Sequence, residues 1–133
     1  MGCMQEVPGN GTSESVSVEI ASAIGKDVLL ERFGGDETTM KDVVSLFIDV
    51  VGEERKTIAE QIASRSDKDG CAKRVHNLAS SVSPFGLSTL SRRCIHIESA
   101  LLRGDWEQAQ DGFEEIDFHL GKLIGALLDI GTD

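Results

Sequence analysis

Apolar side chains recur along this chain at steps of three, four and seven, the spacing of one helical face. Met40, Val44, Phe47, Val51, Ile58 and Ile62 form the first long stripe, widened by Val43 and Val50. The stripe predicts a helix over about 37–64, roughly 40 Å long at 1.5 Å per residue. Asp36 is its expected N-cap, and Glu37 stands in the first turn, where the helix dipole favours an acid. Gly52 inside it costs about 1 kcal/mol against alanine and marks a place for a bend. Ser66 to Gly70 reads as a polar turn. A second stripe, Cys71, Val75, Leu78 and Val82, predicts a helix over about 70–83. Pro84 disfavours helical backbone at Ser83, and Gly86 permits a tight reversal. The third stripe is Leu87, Leu90, Cys94, Ile97 and Leu101, stopped at Gly104. Asp105 then opens a fourth helix, with Trp106, Ala109, Phe113, Ile116, Leu120, Leu123 and Leu127 on one face.

Upstream, the apolar groups Val18, Ile20, Ala21, Ile24 and Val28, Leu29, Leu30 predict one or two short helices between 17 and 32, ended at Gly34 and Gly35. Residues 1–16, rich in Gly, Ser, Thr and Asn, read as a flexible leader. Four amphipathic helices on short loops must bury four stripes against one another. The expected fold is therefore all-α: residues 17–133 as an antiparallel four-helix bundle with one or two extra short N-terminal helices.

Composition narrows the function. A chain of 133 residues suits one domain. Aromatics at 5%, no tyrosine and two prolines favour helices over a sandwich. A net charge of -10 argues against nucleic acid and against anionic membrane surfaces. Cys3, Cys71 and Cys94 make no CxxC pair, the usage of a reducing cytosol, and Cys71 and Cys94 fall on core stripes. There is no apolar run long enough for a membrane span and no signal-peptide pattern, and Glu6 breaks a myristoylation signal. The expectation is a cytoplasmic monomer. Trp106 and Phe113 read as core, and Phe118, off the main stripe, is expected to pack on the N-terminal segment. His96 and His119 could be imagined as ligands beside His76, yet the His/Glu pairs of a di-iron bundle are missing, so no metal is expected.

His76 is the residue with chemistry to explain. It lies one step off the core stripe of its helix, so its imidazole faces solvent. Its helical neighbours are Ala72, Lys73, Ala79, Ser80 and Ser83, small apart from Lys73. The spacing His76, Leu78, Gly86, Leu90, Cys94, Ile97, Glu98 resembles the histidine phosphotransfer (HPt) domains of bacterial and plant phosphorelays. The stretch Leu29 to Asp36 followed by Phe47, and Gly104-Asp105-Trp106 before the last helix, resemble them too. The resemblance covers about residues 18–130.

It implies that His76 is a phosphoacceptor, taking a phosphoryl group from a receiver-domain aspartate and passing it to another receiver. The implied partners are response-regulator receiver domains and a hybrid sensor histidine kinase. Mg²⁺ would sit on the receiver, with no cofactor on this chain and no kinase activity of its own. Two positions depart from the family pattern. Its lysine three after the histidine, which helps hold the phosphoryl oxygens, is Ala79, and its glycine four after is Ser80, small enough to leave room for the phosphoryl group. Lys73, one turn before His76, or Arg93, expected level with it on the next helix, would have to supply the missing charge. An alternative keeps the bundle without transfer: an adaptor that binds a receiver or kinase.

Overall fold

The longest apolar stripe becomes the longest helix. A computed structural model of the chain describes residues 13–131, which form six α-helices. They are α1 (Ser13–Ala23), α2 (Lys26–Arg32), α3 (Glu37–Ser64), α4 (Lys68–Val82), α5 (Ser88–Leu102) and α6 (Trp106–Gly131), with one 3₁₀ turn at Ser83–Phe85. The fold class is all-α, as expected. Asp36 starts α3 as predicted, its carboxylate accepting from the Thr38 and Thr39 amides. Asp105 does the same for α6 through the amide of Gln108. These bonds satisfy amides that have no partner inside the helix.

Helices α3 to α6 close into a ring of four, in which α3 and α5 each touch both α4 and α6. Ion pairs tie neighbouring elements at the rim: Glu54 of α3 to Arg74 of α4, and Arg55 of α3 to Asp117 of α6. The four predicted stripes are buried except Trp106 and Val43, which are partly buried against the core, and Val50, which is exposed. Phe85 joins them and meets the rings of Phe33 and Phe47.

Two boundaries and one packing position differ from expectation. Helix α1 begins at Ser13, inside the stretch read as leader, because Val16 lies one turn before Ile20 and is itself buried. The rest of that stretch, residues 1–12, lies outside the described residues. Helix α4 begins at Lys68 rather than near 70, because Asp67, in left-handed backbone, caps it through the Gly70 amide. Phe118, expected against the N-terminal segment, is 58% exposed, with the Lys122 amine over its ring.

The N-terminal helices also tie down the bundle. α5 has Leu87 at its N-cap, which supplies no side-chain bond. The carboxylate of Glu19, on α1, replaces it, accepting from the Thr89 and Leu90 amides and the Ser88 hydroxyl. The hairpin between α4 and α5 turns at Gly86, whose φ of 76° lies in the left-handed region. A β-carbon there would also stand 2.7 Å from a guanidinium nitrogen of Arg32, which can swing away. Backbone strain therefore dominates. Gly86→Ala is expected to cost about 1–2 kcal/mol, read as a lower denaturant midpoint at unchanged m-value.

Candidate functional site

Helix α4 buries Cys71, Val75, Leu78 and Val82, with Ala72 and Ala79 completing the flank against α5. At 100° per residue His76 falls outside that face. Its side chain is 55% exposed, and its Nδ1 lies 3.0 Å from Oε1 of Glu98 on α5. Glu98 itself is 22% exposed, held against the hairpin.

This pair determines what the imidazole can do. An ionised carboxylate only accepts hydrogen bonds, so Nδ1 carries the proton and donates it. The lone pair is then left on Nε2, on the exposed ring. The arrangement is that of an oriented nucleophile: one nitrogen anchored, the other open to an approaching partner. Glu98 also stands ready to neutralise positive charge that develops on the ring.

The other residues singled out from sequence are only partly brought together. Ser80 is exposed one turn after His76. Lys73 is exposed one turn before it. Ala79 is 3% exposed, at the α4–α5 contact, where its carbonyl accepts from the Ser91 hydroxyl at 3.2 Å. Its small side chain serves close helix approach rather than the exposed face.

Arg93 does not turn toward His76. Glu98, on the flank of α5 that faces α4, reaches the imidazole instead. Arg93 lies on the other flank of α5 and pairs with Glu115 of α6. There, with His96, Ile97, Gln108 and Gly112, it lines a cleft of about 220 Å³ between α5 and α6. Glu98 belongs to the sequence spacing, but its bond to the histidine depends on which flank of α5 faces α4. A carboxylate on the facing flank of the next helix was the available signal.

Among the described residues no three His, Cys, Asp or Glu side chains gather as a metal site, and no helix is long and apolar enough to cross a membrane. The two described cysteines are buried in the core, and burial pushes the Cys94 thiol up to about 12 and the Cys71 thiol up to about 11. Neither is a nucleophile at neutral pH.

His119, on α6, is 1% exposed. Burial holds its pKa below the usual 6.5, opposed by Glu115 and assisted by Arg93 and Lys122. The unfolded chain thus binds this proton more readily than the folded one. Stability from neutral His119 is complete above about 6.5 and declines as pH falls toward the folded value. His119→Gln is expected to flatten the drop in denaturant midpoint between pH 7 and pH 5; an unchanged drop would assign it to other groups.

Residues 42–129 match the family model described as the Hpt domain, a span that runs from α3 into α6 and contains both His76 and Glu98. The chain matches none of the curated proteins and none of the solved structures compared with it.

Proposed function

The chain belongs to the Hpt domain family, and from that premise we propose that it is a phosphorelay intermediate with His76 as phosphoacceptor. Membership implies a part in phosphorelay signalling. The finer reading is that Nε2 of His76 attacks the aspartyl phosphate of one receiver domain and then yields the phosphoryl group to another. A hybrid sensor histidine kinase would feed the first receiver. The observation that carries this reading is the His76–Glu98 bond, which engages Nδ1 of an exposed imidazole and leaves Nε2 for the phosphoryl group.

Phosphoryl transfer asks mainly for alignment and charge neutralisation. An exposed, oriented imidazole supplies the first. Mg²⁺ on the receiver supplies much of the second, so this chain would need neither a cofactor of its own nor kinase activity. The small residues beside His76, Ser80 and Ser83 on the hairpin's open side, leave room for a receiver to approach. A monomer acting in the cytoplasm fits this role.

The test is transfer from a phosphorylated receiver to the purified protein. The expected product is a label that is acid-labile and base-stable and absent from His76→Gln. A second reading, an adaptor that binds a receiver without accepting phosphate, draws on Ala79, which brings no amine to the site. Receiver binding without label would favour it.

A further inference from the structure

Phosphorylation of His76 puts negative charge on a face of α4 that has little to meet it. Attack by Nε2 forms an N–P bond and breaks the P–O bond to the aspartyl carboxyl, which departs as carboxylate with the bonding pair. The Nδ1 proton stays on the ring, so the ring becomes cationic, and Glu98 at 3.0 Å balances it. The phosphoryl oxygens are a different matter. They carry roughly −1.5 to −2 charges near neutral pH and sit on the nitrogen that Glu98 does not touch. Once the receiver leaves with its Mg²⁺, any counter-charge must come from this chain.

The cations of α4 and α5 are mostly engaged. Arg74 is held by Glu54 and Arg93 by Glu115. Arg103, at the end of α5, donates to Gln108. The Lys68 amine lies 3.4 Å from the Leu102 carbonyl, and Arg92 also has an interaction. Lys73 is different: it is exposed and makes no hydrogen bond or ion pair among the described residues. Asp69, four residues earlier on the same face, makes no ion pair with it.

Lys73 is also well placed. It stands three residues before His76, a spacing that puts Cβ atoms about 5–6 Å apart. Helical side chains lean toward the N-terminus, so the imidazole lies over the turn that carries Lys73. A four-carbon stem lets the amine follow the phosphoryl group outward.

We propose that Lys73 is the phosphoryl-binding cation of this site, closing on the phosphate of phosphorylated His76 from the turn before it. The assignment rests on His76 being the phosphoacceptor. It gives Lys73 the task that Ala79, buried at the helix contact, cannot perform.

The experiment phosphorylates wild type, Lys73→Gln, Lys73→Arg and His76→Gln with phosphoramidate, a small phosphoryl donor that needs no receiver. Each product is titrated by ³¹P NMR. A phosphohistidine signal is expected in the first three and not in His76→Gln. A neighbouring cation favours the phosphoryl dianion, so the signal of Lys73→Gln should titrate about 0.2–0.7 pH units above wild type. Lys73→Arg should titrate with wild type, and the difference should shrink in high salt. Lys73→Gln titrating with wild type, or Lys73→Arg titrating with Lys73→Gln, overturns the assignment while leaving the phosphoacceptor in place. A wild-type protein that takes no phosphoryl group overturns the parent reading, and this one with it.

Discussion

His76→Gln is expected to remove phosphoryl uptake entirely while leaving the bundle intact. Among the described residues, the variant deletes the only imidazole that is both exposed and anchored by a carboxylate through a direct bond. Rate should fall to background, at least about 1000-fold, because glutamine has no nucleophilic nitrogen to form the N–P bond. Stability should hold. The side chain is 55% exposed, and its bond to Glu98 crosses the surface of the hairpin rather than the core. The glutamine amide can still donate to the same carboxylate, so the change should stay within about 1 kcal/mol. The two other histidines make the result informative. His119 is buried and unreachable by a receiver aspartate, whereas His96 is exposed on α5. Label persisting above a tenth of the wild-type level in His76→Gln would move the acceptor elsewhere, with His96 the next to be replaced.

The helices were legible in sequence because each buries one unbroken stripe. α3 runs Glu37–Ser64, the span its apolar spacing predicts, and Asp36 caps it. The start of α4 was less legible. Asp67 reads as a turn residue and does adopt turn-like left-handed backbone, yet its carboxylate also caps the helix. Position around a helix was legible too: His76 and Ser80 are exposed as their angles require. The neighbour on each flank was not. Arg93 and Glu98 both border the core stripe of α5, but one faces α6 and the other α4. Sequence spacing gives the angle from Cys94 and leaves the neighbouring helix unassigned. Glu19 lies further out of reach, because its bonds to the start of α5 span some 70 positions of chain.

Glu98→Ala is expected to slow phosphoryl uptake by about 10- to 100-fold without removing it. Two contributions are lost together. Without an acceptor at Nδ1 the neutral ring divides between tautomers, and the fraction with its lone pair on Nε2 falls. The ring charge that appears on phosphorylation also loses its counter-ion, which matters more at a site 22% exposed than it would in open water. Glu98→Gln separates the two. Its amide oxygen can accept from Nδ1–H and preserve the tautomer while the charge is gone, so its rate should fall between alanine and wild type. Imidazole ¹⁵N shifts report the tautomer independently of rate. The wild-type ring is expected to show a protonated Nδ1 and an unprotonated Nε2, the alanine variant a mixture. If Glu98→Ala kept the wild-type tautomer and the wild-type rate, the carboxylate would be only a surface contact of the hairpin. If the tautomer changed and the rate did not, transfer would be limited by receiver docking. If both changed together, the bond from α5 would be what makes an exposed histidine on α4 into a phosphoacceptor.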